Sequence, residues 1–294
     1  LQNLQITELL VKIGDLDPGA PELRQEPRYN RDNAYITSHY GLSSDEFVVI
    51  MTTEPDSCGR YDALKLMDTL AQRLQADPAV QATSSLAEMT RFITAGMTEG
   101  SGKWLTLSRD QAMTNTAVGA AMIARPDITN QSCSVSPLVA YLSDHKADTL
   151  ARVLKISQDF ADEFNTPDGP QFKLAAGSAG IEAATNIEVE RGIIVMYVAL
   201  YGATALLCLM TFRSIRATLV AMIPLGITTL LCKGLMVWLG IGLKVATLPV
   251  LAVGVGVGVD YALYLLSVQL VAQRRGATLM EAYRLSLDFT GRVV

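Results

Sequence analysis

The chain has 294 residues, a formal net charge of −5, 50% hydrophobic and 18% charged residues, and a mean hydropathy of +0.27. That average conceals two regions: residues 1–190 hold 15 Lys+Arg against 26 Asp+Glu, whereas residues 191–294 hold 9 against 3. An acidic part followed by a basic, apolar part implies a water-exposed domain joined to a membrane domain, and it argues against nucleic acid, because the cations flank hydrophobic runs instead of forming an aromatic-studded basic stripe.

Residues 1–45 read as an extended lead-in, since LVKIGDLDPGAPELR (residues 10–24) carries Asp-Pro-Gly and Ala-Pro punctuation that blocks a long helix. Residues 1–11 lack a basic segment and a long apolar core, so export requires a preceding segment. EFVVIMTT (46–53) has the β-branched and aromatic character of a buried strand. Residues 61–75 then place Leu64, Met67, Leu70, Ala71 and Leu74 on one helical face. A second short strand is expected at 79–84, no element is assigned across the Gly- and Thr-rich stretch 96–104, and a mixed polar helix is expected at 109–123. SPLVAYLS (136–143) reads as a third strand, 146–164 as an amphipathic helix and QFKLAAG (171–177) as a fourth strand.

Strand, helix, strand followed by strand, helix, strand is the ferredoxin-like split βαβ order, an α+β class. In that layout the first and third strands are central antiparallel neighbours. Cys58 follows the first strand and Cys133 precedes the third, so the two are expected to form a disulfide if the domain sits in an oxidising compartment. The alternative is a pair of unpaired buried thiols. Cys208 and Cys232 fall inside apolar runs and read as small packing residues, not metal ligands.

A helix at 179–189 runs directly into three stretches long enough to span a bilayer, at about 192–212, 217–239 and 245–272. Arg213 and Arg216 follow the first and Arg274 and Arg275 the third, so these ends face the cytoplasm by the positive-inside rule. Residues 1–190 then lie on the periplasmic or extracellular side. Residues 276–292 suggest a helix at the cytoplasmic surface, with Leu279, Tyr283, Leu287 and Thr290 opposite Glu281, Arg284 and Asp288. The expected organisation is an extended segment (1–45), a porter domain (46–190), a transmembrane domain (191–272) and an amphipathic connector (273–294).

The third span, centred on PVLAVGVGVGVDYALYLL (249–266), contains a single carboxylate, Asp260. An ionisable group there costs roughly 2.5 to 3.5 kcal/mol on insertion scales and is by default a functional candidate. Asp260 shares a helical face with Gly256 and Tyr264, and Gly254, Gly258 and Tyr261 lie on the adjoining face. Glycines at these spacings let another helix pack close. The plainer reading of Asp260 is a carboxylate that hydrogen-bonds across a helix interface or stays protonated as packing glue. A dinucleotide site is disfavoured, because the spacing is G-x-G-x-G without a strand-to-helix unit. Lys233 lies about 24 Å along its helix from Ala217, near the outer interface, so it is expected to snorkel outward and not to pair with Asp260.

GVGVGVDYALYL (254–265), followed by QRRGATLMEAYRLSLDFTGRVV (273–294), resembles the resistance-nodulation-division (RND) superfamily of exporters in the branch that includes the MMPL lipid transporters. GDLDPGAPELR, RYNRDNA (28–34) and TFRSIRATL (211–219) are similar to bacterial members of that branch. The resemblance implies twelve spanning helices in two similar halves, each with a periplasmic porter loop after its first helix. This chain would be one half, the second being favoured, without its first helix and its last two. It further implies proton-driven export across a bacterial inner membrane, with an Asp-Tyr pair that titrates with the gradient. The matching positions are Asp260 and Tyr261, while Tyr264 stands equally as relay or packing residue.

On this reading the partners are the lipid bilayer, the remaining half of the transporter, a hydrophobic or lipid-like substrate and, as an open option, further copies of the chain. No enzyme activity, cofactor or metal is expected: His39 and His145 sit beside no nucleophile or ligand cluster, and Trp104 reads as a core or loop anchor or as lining of a substrate path. A sterol-sensing or receptor-like protein sharing the architecture is the alternative.

Overall fold

The computed structural model describes residues 13–14, 28–40, 43–239, 242–243, 245 and 247–290. The punctuated stretch 10–24 therefore lies outside the described residues except for Ile13 and Gly14. The chain divides into two compact units, Asp17–Thr185 and Leu1–Leu16 with Asn186–Val294.

The first unit opens on helix α1 (Arg28–Tyr40), a correction to the extended reading of residues 1–45. Beyond Pro27 the stretch has no Gly or Pro, and Arg28 pairs with Asp32 one turn on at 3.1 Å. Strand β1 (Glu46–Thr52) buries Phe47, Val49 and Met51 on alternate positions. Helix α2 (Tyr61–Gln75) buries the stripe expected from its spacing, including Leu64, Met67 and Leu70. Strand β2 (Val80–Ser85) leads without a loop into α3 (Leu86–Met97), whose N-terminus is capped by the Ser85 hydroxyl accepting from the Glu88 N–H.

Helix α3 falls where the sequence assigns no element, and it is rich in threonine. Thr90, Thr94 and Thr98 each return their hydroxyl to the carbonyl one turn back, at 2.7, 2.8 and 2.9 Å, so their polarity is satisfied inside the helix. A short 3-10 turn (Gly102–Trp104) and α4 (Gln111–Ala124), capped by Asp110, complete the stretch before β3 (Val135–Leu142). Helix α5 (Ala147–Phe164) and β4 (Gln171–Ala176) follow.

The four strands form one antiparallel sheet in the order β2-β3-β1-β4. β1 and β3 are adjacent, with Glu46 opposite Tyr141 and Thr52 opposite Val135. Pro137 sits one residue beyond the end of the β2 register at Leu138, where a strand tolerates loss of an N–H. α2 and α5 both contact the sheet side of the core, and Phe160 of α5 meets Phe172 of β4 edge-on at 5.0 Å. Arg73 of α2 lies over the Phe160 ring at 5.1 Å and bonds Glu163 at 2.7 Å, joining the two helices.

Past the strands, backbone bonds from Thr53 to Ser134, Asp56 to Ser132 and Cys58 to Cys133 continue the β1–β3 pairing. A Cys58–Cys133 disulfide closes this extension, with the Cα atoms 5.1 Å apart. Both cysteines are buried.

Helix α6 (Gly177–Phe212) begins directly after β4. Gly177 has φ +76, and a Cβ there would collide with the Glu46 carbonyl oxygen. Helices α7 (Ile215–Trp238), α8 (Leu248–Arg274) and α9 (Leu279–Thr290) complete the chain. α6, α7 and α8 are each long and apolar enough to cross a membrane, with mean hydropathy 2.3, 1.8 and 1.8 over their most apolar windows. The architecture is α+β: a small antiparallel sheet with helices, and three candidate membrane helices.

α9 packs on α8 through Ala282 and Ser286, which are 0% and 1% exposed, whereas Leu279, Tyr283 and Leu287 stand exposed. Small side chains at that contact permit a close helix approach. Residues 291–294 lie outside the described residues.

Candidate functional site in the membrane helices

The hairpin between α6 and α7 is two residues long. Arg213 takes φ 51 and donates its N–H to the Leu209 carbonyl at 2.8 Å, ending α6, and the Ser214 hydroxyl accepts from the Ala217 N–H to start α7. Of the positive flank, Arg213 lies in this turn and Arg216 in the first turn of α7. α7 carries Pro224 within its length, and Thr228 bonds the Pro224 carbonyl at 2.9 Å.

α8 begins with Pro249 in its first turn, where a missing N–H costs nothing. Val255 and Val259, one turn apart, are buried with Ala221 and Leu225 of α7 and with Cys208 and Phe212 of α6. This apolar seam fixes the rotation of α8. Asp260 consequently falls on a flank outside the seam, exposed, together with Tyr261 at 43% and Tyr264 at 60% exposure. Asp260 is about 18 Å from Leu248 and about 21 Å from Arg274 along the axis, so it stands near the middle of the span.

Of the three glycines, Gly258 alone faces a neighbour: a Cβ there would lie 3.0 Å from Leu225 Cδ1. Gly254 and Gly256 have nothing within 4 Å and share the open side of α8 with the carboxylate. The structure therefore brings Asp260, Tyr261 and Tyr264 onto one free flank without a cation or donor from α6 or α7 within the recorded hydrogen bonds and ion pairs of the described residues. Cys58 and Cys133, by contrast, belong to the sheet unit.

Two polar contacts between spans escaped the sequence reading. Lys233 of α7 places its ammonium 4.3 Å from the centre of the Tyr197 ring of α6. Tyr201 bonds Thr229 at 2.6 Å. Both pairs have a four-residue signal, Tyr197 with Tyr201 and Thr229 with Lys233, which puts each couple on one helical face. Near the same end, Gly14 donates to the Leu243 carbonyl at 2.7 Å, tying the start of the chain to the α7–α8 link.

The histidines are engaged elsewhere. His39 stacks on Tyr35 with ring centres 3.9 Å apart, and His145 lies 3.1 Å from Asp45. Among the described residues no group of three His, Cys, Asp or Glu is arranged to hold a metal.

The MMPL family model matches residues 34–294. A search of curated proteins finds no match. With that match over most of its length and three helices able to span a bilayer, the chain belongs to the MMPL family and is a multi-pass membrane protein of the transporter-like RND/MMPL kind.

Proposed function

We propose that the chain is part of a proton-driven exporter of hydrophobic or amphiphilic substrates, lipids among them, and that Asp260 carries the proton. The observation that bears this reading is the lone carboxylate at the middle of α8, within a helix otherwise uncharged from Leu248 to Gln273. Desolvation favours the protonated form of such a group, whereas a nearby donor or cation favours the ionised one. A carboxylate whose surroundings alternate between those states loads and releases a proton. Tyr261 and Tyr264, on the same flank, supply hydroxyl donors to the chain of transfer, and Gly254 and Gly256 leave room for the approaching helix.

That helix comes from the remaining half of the transporter, which completes the proton site. The sheet unit is a ferredoxin-like porter domain on the periplasmic side of a bacterial inner membrane. Its strand order β2-β3-β1-β4 supports the first part of that statement, and the Cys58–Cys133 disulfide supports an oxidising compartment. Arg213, Arg216, Arg274 and Arg275 support cytoplasmic ends for the helices. The protein acts by moving its substrate without chemically changing it.

The test is transport by the full-length protein in sealed vesicles. An imposed proton gradient should drive movement of a fluorescent lipid analogue, and a protonophore should abolish it. Binding of the analogue with no gradient-dependent movement would instead point to a receptor-like role and overturn the reading.

A further inference from the structure

The junction of α8 and α9 holds an apolar groove of ≈ 410 Å³, bordered by Ser267, Val271, Ala272, Arg275, Leu285 and Phe289. Its origin is local. Gly276, at φ +94, ends α8, and Thr278 starts α9 with a reciprocal cap in which Glu281 accepts from the Thr278 N–H at 2.9 Å and hydroxyl at 2.8 Å. α9 then returns along the last turns of α8. Because Ala282 and Ser286 make the close contact, Leu285 and Phe289 flank it without filling the space, and Phe289 remains 76% exposed.

The location and charge of the groove identify its occupant. α8 is about 40 Å long by its 27 residues, more than the ~30 Å hydrocarbon thickness, so its last turns reach the headgroup boundary. Arg274 and Arg275 close α8 and Arg284 lies on α9. Of the two acids on α9, Glu281 is turned to its own helix start, which also holds its carboxyl below the usual range, and Asp288 is the other. An apolar trough ending at an arginine, in a cationic setting at a membrane boundary, matches an acyl chain with an anionic headgroup.

We infer that the α8–α9 groove binds an anionic phospholipid from the leaflet at the Arg274 end of α8, with one acyl chain along Val271, Leu285 and Phe289 and the phosphate on Arg275. The groove lies on the same side of α8 as Asp260 but begins at Ser267, about 10 Å further along the axis, and does not require proton coupling, so its failure and the failure of the transport reading are distinguishable.

The full-length protein in detergent would be titrated with dioctanoyl phosphatidylglycerol, dioctanoyl phosphatidylcholine or glycerol 3-phosphate, and bound molecules counted by native mass spectrometry. Phosphatidylglycerol should bind roughly five- to thirty-fold more tightly than phosphatidylcholine, the effect of one or two cations at a membrane surface. Glycerol 3-phosphate, which has no chains, should not compete. Arg275→Gln should remove most of the headgroup preference, and Val271→Trp, which fills the groove, should weaken both lipids while circular dichroism shows the helices retained. Equal binding of the two lipids, an unchanged preference in Arg275→Gln or competition by glycerol 3-phosphate would overturn the proposal. So would absence of bound lipid on the wild-type protein, the result expected if another protein segment fills the groove.

Discussion

Reduction of the Cys58–Cys133 disulfide offers a quantitative test of how the sheet unit is held together. The bond spans 75 residues of sequence. In the chain-entropy account a closed loop of that length restricts the unfolded chain by about 4.5 kcal/mol at 25 °C, an upper figure, since measured disulfides are typically worth 2 to 4 kcal/mol. For a unit of this size each kcal/mol corresponds to roughly 2 to 4 °C in melting temperature, so Cys58→Ser with Cys133→Ser should lower the transition by about 10 °C. Trp104, in the sheet unit, serves as the fluorescence probe, with Trp238 of α7 as a constant background. The same fall should follow reduction of the wild-type protein. A shift below about 3 °C, or two alkylatable thiols at positions 58 and 133 in the non-reduced protein, would refute the reasoning.

Other substitutions probe separate contacts. Gly177→Ala should destabilise the sheet unit by about 2 kcal/mol or more, because the residue takes φ +76 and its Cβ meets the Glu46 carbonyl; chemical denaturation reads this directly. The Asp77 carboxylate is held below its usual range by the Ala79 N–H and by Arg152. Its contribution is therefore present above the ordinary carboxylate pKa and lost as pH falls through the lowered value, and Asp77→Asn should cost about 1.5 to 3 kcal/mol at pH 7 and flatten the acid limb of a melting-temperature profile. Burial pushes the Glu88 carboxyl up, so its contribution is present at low pH and lost as pH rises through the raised value. Glu88→Gln should accordingly raise the melting temperature at pH 7 and not at pH 4. In the membrane helices, a double-mutant cycle of Tyr201→Phe and Thr229→Val should return a coupling of about 0.6 kcal/mol, with about 1.7 kcal/mol as the ceiling for such pairs.

The architecture was legible where one physical pattern dominates. Alternation marks β1, whose Phe47, Val49 and Met51 face the core, and helical spacing marks α2 through Leu64, Met67 and Leu70. The spans declare themselves by length and apolarity. α1 and α3 were opaque because their polar residues find partners within the helix, as the threonines of α3 do, and sequence polarity alone does not distinguish that from a loop. Which side of α9 meets α8 had no signal in the sequence, because the residues buried there, Ala282 and Ser286, are small.

The candidate site divides the same way. Asp260 is conspicuous in any apolar run, and its flank is set by helical geometry once Val255 and Val259 are known to be buried. Which residues of other helices meet is a non-local outcome, so the contacts of Lys233 with Tyr197 and of Tyr201 with Thr229 required the fold.

The central claim is that a proton on Asp260 is coupled to movement of substrate. Its most direct measurement is gradient-driven export of a fluorescent lipid analogue by full-length protein in sealed vesicles, comparing wild type with Asp260→Asn at equal insertion and equal binding of the analogue. The account predicts that Asp260→Asn abolishes gradient-dependent export while leaving binding intact. Export by Asp260→Asn at the wild-type rate, still dependent on the proton gradient, would contradict it.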